Sequence, residues 1–135
     1  MESIAASATR SELAEQLKCC LDLYTKHHDL YIKTISFSLA ILGAVAGFMY
    51  SDHVSPTSRP GLSAFIAFTS VMMSVGSGIY LRWVRELDAL CRQLTTDLGL
   101  RAYPFSVTLN STLLFIVGHA LMAVAFGANV VHPFF

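Results

Sequence analysis

The stretch YIKTISFSLAILGAVAGFMY, residues 31–50, decides the fold class of this chain. Lys33 is its only charged residue, and almost all the other side chains are apolar or small. A helix of this length reaches across a hydrocarbon core of roughly 30 Å at about 1.5 Å per residue. Residues 62–81 and 106–131 have the same character. We therefore expect an all-α integral membrane protein with three transmembrane helices.

The overall composition supports this class. Hydrophobic residues make up 54% of the chain and charged residues 13%, which is well below the charged fraction of a typical soluble domain. Nine Lys and Arg balance nine Asp and Glu, so no net charge favours nucleic acid as a partner. The sequence has no nucleophile with a base, no phosphate-binding loop and no metal-ligand spacing. We predict no enzyme activity, no metal site and no cofactor.

Capping and helix-breaking residues divide the chain around the three spans. Thr9 and Glu12 have the spacing of a capping box, and Gly99 is placed to end a helix. The predicted segments are a flexible N-terminus (1–8), a cytosolic helix continuous with transmembrane helix 1 (9–50), a short external loop (51–61), transmembrane helix 2 continuous with a cytosolic helix (62–99), a cytosolic turn (100–105), transmembrane helix 3 (106–131) and an external tail (132–135).

The basic residues predict the orientation in the membrane. Most of them precede the first span or follow the second, whereas Arg59 alone lies in the first loop and none follows the third span. Lys and Arg concentrate on the cytosolic side of membrane proteins. We predict a cytosolic N-terminus and an external C-terminus, in a plasma membrane or bacterial inner membrane. All three cysteines then lie in the cytosol, where reduced thiols are expected.

Apolar residues at alternating steps of three and four continue beyond the first two spans. This heptad pattern predicts that both helices extend into the cytosol and pack as an antiparallel stalk. The seams can pack within one protomer or face another protomer or a partner helix. The first seam runs through Leu13, Leu17, Cys20, Tyr24, His27 and Tyr31, and the second continues from span two through Val84, Leu87, Cys91, Leu94 and Leu98.

Small residues in the spans predict self-association. In lipid, helices pack closely where small side chains let their backbones approach, and residues 43–47 form a GxxxG sequence. The spans carry more such residues than one three-helix protomer needs, so we expect a homo-oligomer surrounded by membrane lipid. The predicted packing residues are Gly43, Gly47, Gly78, Ala123 and Gly127.

Polar side chains inside the spans are the candidates for chemistry. No Asp, Glu, Lys or Arg lies deep in a span, which argues against a proton- or cation-coupled exporter. The pore or gate candidates are Ser63, Ser70, Ser74, Ser77, Thr112 and His119. Their alternative roles are helix packing for the serines and a neutral, hydrogen-bonded imidazole for His119. A haem ligand at His119 is disfavoured because no second histidine lies at the same depth.

Two functional hypotheses follow from this pattern. The first is an oligomeric channel or pore-type membrane effector that is gated through its cytosolic stalk, because a rigid helix that crosses the interface transmits motion directly. The second is a non-catalytic scaffold or assembly subunit whose stalk binds a cytosolic or membrane protein partner. A conductance measurement separates the two.

Overall fold

The computed structural model describes residues 9–101 and 106–131. Over these residues it is all-helical, with no strand, which confirms the all-α part of the predicted fold class. The helices are α1 (Arg10–Met49), α2 (Arg59–Asp97) and α3 (Ser106–Val131), with a short 3-10 helix at Pro56–Ser58. Each of the three long helices is long and apolar enough to cross a membrane. The predicted segments 1–8 and 132–135, and most of the turn 100–105, lie outside the described residues.

The capping box predicted at the start of α1 is confirmed. The Thr9 hydroxyl accepts a hydrogen bond from the Glu12 backbone N–H at 3.3 Å, and the Glu12 carboxylate accepts one from the Thr9 N–H at 2.6 Å. These bonds satisfy two N–H groups that have no partner within the helix. The same bonds to Thr9 lower the pKa of the Glu12 carboxyl. The helix then continues without a break for 40 residues.

Proline and glycine mark the two ends of α2. The helix begins at Arg59, so Pro60 of the predicted loop lies in the first turn, where its missing N–H costs nothing. At the other end Gly99 has a φ of 70°, a conformation that glycine adopts without strain. The Gly99 N–H bonds to the Thr96 carbonyl at 3.0 Å and the Leu100 N–H to the Thr95 carbonyl at 2.7 Å. This is a Schellman motif, and it confirms the predicted helix stop.

α2 lies between the other two helices. Its Cα atoms come within 8 Å of Cα atoms in both α1 and α3, whereas no Cα pair of α1 and α3 within the described ranges lies that close. Asn129 of α3 contacts Ser63 of α2, and Ser74 further along α2 contacts Ile116 earlier in α3, so these helices run antiparallel. α1 and α2 are also antiparallel, because Met49 contacts Ser63 and Tyr31 contacts Ser77. We call the end near residues 50–60 the loop end and the opposite end the stalk end.

Buried residues recur every seven positions along α1 and α2. On α1 they are Ile35, Leu42 and Met49, and on α2 the buried face contains Ser63, Ile66, Ser70, Ser77, Leu81, Val84, Leu87, Cys91, Leu94, Thr95 and Leu98. A seven-residue repeat keeps one face of each helix against its neighbour over its whole length. The buried face of α2 changes along the helix: serines dominate its first half and apolar residues its second.

Candidate functional site

A band of buried polar side chains lies where α2 faces α1 and α3. Every side chain of α3 that is buried, among those the structure describes, is polar. We call this band the polar seam and define it as Ser63, Ser70 and Ser77 of α2 with Thr112, His119 and Asn129 of α3. Polar side chains that hydrogen-bond across helices stabilise helix association in an apolar surrounding. At Ser63, Ser77 and Asn129 the polar seam contributes hydrogen bonds between helices.

At the loop end the seam joins all three helices. The Asn129 side-chain amide donates a hydrogen bond to the Ser63 hydroxyl at 3.1 Å. The Ser63 hydroxyl in turn donates to the Met49 sulfur at 3.3 Å. Ser63 has no exposed surface, so both hydrogen bonds are shielded from water. This junction fixes the relative positions of the helices at one end of the bundle.

In the middle of the seam, polar groups are only partly satisfied. The Ser74 hydroxyl donates to the Ile116 carbonyl at 3.3 Å. The His119 Nδ1 lies 2.8 Å from the Phe115 carbonyl oxygen, and since a carbonyl only accepts, Nδ1 carries a proton and donates it. The His119 Nε2 and the Ser70 Oγ are buried and have no hydrogen-bond partner among the described residues. Two unsatisfied polar atoms are thus enclosed near the centre of the bundle.

At the stalk end the seam meets a cluster of aromatic side chains. The Tyr31 hydroxyl donates to Ser77 at 3.0 Å, and the Tyr31 ring stacks on Tyr80 with centroids 3.9 Å apart. The Tyr80 hydroxyl lies 2.9 Å from His28 Nδ1, and the His28 ring stacks on Tyr24. Hydroxyl and imidazole groups therefore line the path from the seam to the stalk. They lie at the boundary between the apolar and charged halves of α1 and α2.

Thr112 and the predicted oligomer-packing residues lie in different environments. Thr112 is fully buried and donates to the carbonyl of Thr108 one turn earlier on its own helix. Gly43 and Gly47 lie on an exposed face of α1, where a Cβ atom would meet no heavy atom within 4 Å. Gly78, Ala123 and Gly127 are half-buried. The GxxxG face of α1 is therefore open to a neighbour outside this chain.

Side chains of the two predicted seams contact each other within the chain. Leu87 and Cys91 of α2 form a buried cluster against Leu17, Cys20, Leu21, Tyr24 and Trp83. Burial raises the pKa of the Cys91 thiol, and partial burial raises that of Cys20. Both groups therefore favour the uncharged thiol. Val84, Leu94 and Leu98 are buried on the same face, and Leu13 is half-buried.

Sequence reasoning missed one residue of the polar seam, Asn129, and one residue of the aromatic cluster, His28. Asn129 was not among the candidates, although a single amide near the end of an apolar span is the signal that could have found it. On α1 the structure places His28 against Tyr80, whereas the pattern predicted His27. His27 is exposed and its ring tilts against Trp83 instead. Both histidines satisfy steps of three and four, so the sequence alone could not separate them.

Comparison with protein-family models, with curated proteins and with solved structures found no match for this chain. No group of three His, Cys, Asp or Glu side chains is placed to hold a metal ion in the part of the chain that the structure describes. The fold and the seam together define a class: an all-helical protein with three helices that are each able to span a membrane.

Proposed function

We propose that this chain is a self-associating membrane protein that forms an oligomeric channel or pore-type membrane effector, gated through its cytosolic stalk. The continuity of α1 carries this proposal: one uninterrupted 40-residue helix contains both a stalk segment and a membrane segment. The stalk segment packs on Leu87 and Cys91, so a displacement of the stalk is transmitted along the helix axis into the membrane segment. No Pro or Gly in residues 12–42 allows the helix to absorb that motion.

The orientation in this proposal follows from charge. The stalk segments carry most of the Lys and Arg, and the loop around Pro56–Ser58 is flanked by Arg59 alone. Positive residues are retained in the cytosol during insertion, so the stalk is cytosolic and the loop end is external. The lipid surface then covers the apolar side chains that lie exposed on the single chain, among them Phe37, Phe68, Leu114 and Val124.

Self-association uses the open face of α1. Gly43 and Gly47 present bare backbone, and a Cβ atom added at either position would meet no heavy atom within 4 Å. In lipid, such a face favours close approach of a second helix. In the closed state Ser63, Ser70 and Ser77 are buried inside each protomer, and opening turns these hydroxyls toward the axis of the oligomer.

The test combines oligomeric state with ion efflux. We expect native mass spectrometry in nanodiscs to give one closed ring of about four or more copies, and liposomes that contain the protein to release K⁺. Gly43→Leu with Gly47→Leu should abolish both the ring and the efflux, because two leucines fill the packing face. Gly118→Leu is the matched control, since Gly118 is exposed on α3. A monomer that leaves liposomes tight would refute the channel.

A second candidate function, the scaffold, has one supporting observation. Leu23 and Leu90 are 42% and 44% exposed on the two stalk segments. A partner helix that covers these two side chains would remove apolar surface from water, which favours binding. Leu23→Glu with Leu90→Glu should then abolish capture of a defined partner and leave membrane insertion intact. Leu87 and Leu94 are unsuitable for this test because both are buried, and a charge there would disrupt the stalk itself.

A further inference from the structure

The two unsatisfied atoms of the polar seam lie at the same level of the bundle. Ser74 of α2 and Ile116 of α3 are joined by a hydrogen bond, which fixes the register of these antiparallel helices. Ser70 lies one turn from Ser74 toward the loop end, and His119 lies one turn from Ile116 in the same direction. Ser70 is 0% exposed and His119 is 2% exposed. Ser70 Oγ and His119 Nε2 are therefore both buried at a similar level, near the midpoint of the apolar segments.

The chemistry of the two atoms is complementary. Because His119 Nδ1 donates its proton to the Phe115 carbonyl, Nε2 has a free lone pair and accepts a proton. The Ser70 hydroxyl both donates and accepts, and it also lacks a partner among the described residues. Each such buried group costs about 1–3 kcal/mol if it stays unsatisfied. A single buried water bonded to both atoms would satisfy them and would place a proton next to Nε2.

Hydroxyl groups continue from this pair toward the stalk end at short intervals. Ser70, Ser74, Ser77 and Tyr80 follow one another on α2 at steps of three or four residues, which corresponds to about 5–6 Å. Tyr80 then contacts His28 at the base of the stalk. A few ordered waters bridge intervals of this size.

Toward the loop end, the row of hydroxyl groups on this face of α2 is interrupted. The next hydroxyl on this face of α2 is Ser63, which lies seven residues or about 10 Å from Ser70. Ile66 fills the interval and is 0% exposed. An apolar side chain in this position excludes water and stops proton transfer. The row of α2 hydroxyl groups thus continues from the level of His119 toward the stalk end, and Ile66 interrupts it toward the loop end.

We propose that His119 Nε2 and Ser70 Oγ form a proton-binding site that is loaded from the stalk end through the α2 hydroxyls and is separated from the loop end by Ile66. The ligand is a proton that water delivers. No Asp, Glu, Lys, Arg, Cys or other His of α1, α2 or α3 lies at this level, so the His119 imidazole is the only ionisable side chain of these helices there. The site goes beyond the proposed channel, because all its residues belong to one protomer.

The experiment measures proton and K⁺ flux in the same proteoliposomes, with pyranine inside and a K⁺-selective electrode outside. We expect Ile66→Ser to raise proton flux by at least about tenfold, the factor that corresponds to a barrier lowered by about 1.4 kcal/mol. Ile66→Leu is the control and should leave proton flux unchanged. Ile66→Ser with His119→Asn should lose the gain, since Asn keeps a donor for the Phe115 carbonyl and has no group that titrates.

Each outcome decides the question. Equal proton flux in Ile66→Ser and Ile66→Leu, or a gain that survives His119→Asn, overturns the proposed site. A parallel rise in K⁺ flux also overturns it, because a water-filled pore then carries the current. Proton flux that persists when Gly43→Leu and Gly47→Leu abolish both the oligomer and K⁺ efflux supports a site that lies within one protomer, and proton flux that is lost together with the oligomer overturns it.

A second measurement applies to the unmodified seam, so that the test does not depend on Ile66→Ser folding. The ¹⁵N resonances of His119 in nanodiscs should show protonation of Nε2 as the pH on the stalk side falls. Ser70→Ala should change the midpoint of that titration. A His119 signal that does not titrate in the folded protein contradicts the proposal.

Discussion

The hydroxyl groups of Tyr24 and Thr108 lie 2.5 Å apart and join the stalk segment of α1 to the first turn of the apolar segment of α3. These two helices have no Cα pair within 8 Å over the described ranges, so side chains alone bridge them. The bond lies at the level where the aromatic cluster begins. This bond is a direct side-chain link between α1 and α3, in addition to the contacts that both helices make with α2.

We expect Tyr24→Phe and Thr108→Val to be energetically coupled. Each substitution keeps the shape of the side chain and removes one hydroxyl, and a neutral hydrogen bond contributes about 0.5–1.5 kcal/mol. A double-mutant cycle in mixed micelles, followed by far-UV circular dichroism during SDS unfolding, should give a coupling energy in that range. Strictly additive effects of the two substitutions would show that the bond contributes nothing to stability.

The stalk provides a matched pair of leucines for a packing test. Leu87 is 7% exposed within the cluster around Cys91, whereas Leu90, less than one turn along, is 44% exposed. Leu87→Ala should lower the free energy of unfolding by about 2–5 kcal/mol, because it removes buried methyl groups and leaves a cavity. Leu90→Ala should change it by about 0.5 kcal/mol or less. Equal losses for both variants would contradict the packing described for the stalk.

Periodicity was sufficient to predict the helices because burial in this protein follows the heptad. The repeat of Ser63, Ser70 and Ser77 and the repeat of Val84 and Cys91 lie on one face of α2, as the steps of three and four require. The capping box at Thr9 and the left-handed Gly99 depend on local residues alone. Both features could therefore be predicted from the sequence, and the structure confirms both.

The partners of the polar side chains could not be predicted in the same way. A single sequence does not show how one helix is aligned against another. It could therefore not show that Asn129 contacts Ser63, or that Ser70 and His119 lie at the same depth in the bundle. It also could not decide between His27 and His28, because one step of about 100° separates them on the helix. The exposure of the Gly43 face depends on which side of α1 packs against α2, and this too is set by the tertiary structure.

The loop-end junction predicts a specific loss of stability for one serine. Ser63→Ala removes the acceptor of the Asn129 amide and the donor to the Met49 sulfur, both inside the bundle. We expect the free energy of unfolding in mixed micelles to fall by about 1–2 kcal/mol. Ser36→Ala is the control, since Ser36 is exposed on α1 and its substitution should be nearly neutral. A neutral Ser63→Ala would mean that the junction does not hold α3 in place.

The three cysteines should differ in reactivity in an order set by burial. Cys19 is exposed, Cys20 is half-buried and Cys91 is buried. Alkylation requires the thiolate, and burial raises the pKa of Cys91, so this residue needs both a higher pH and an opening of the stalk to react. Timed labelling with iodoacetamide, read by peptide mass spectrometry, should modify Cys19 first and Cys91 last.

The same raised pKa makes stability depend on pH in a known direction. A thiol whose pKa is higher in the folded protein favours folding while it stays protonated, so its contribution is complete below about pH 8.5 and is lost as the pH rises through the folded value. The free energy of unfolding should therefore decline above that pH, and Cys91→Ala should make the decline shallower. Leu90→Ala should leave the slope unchanged, because Leu90 is exposed and does not titrate. An identical slope in all three proteins would place the Cys91 thiol in contact with water, against the burial found in the stalk.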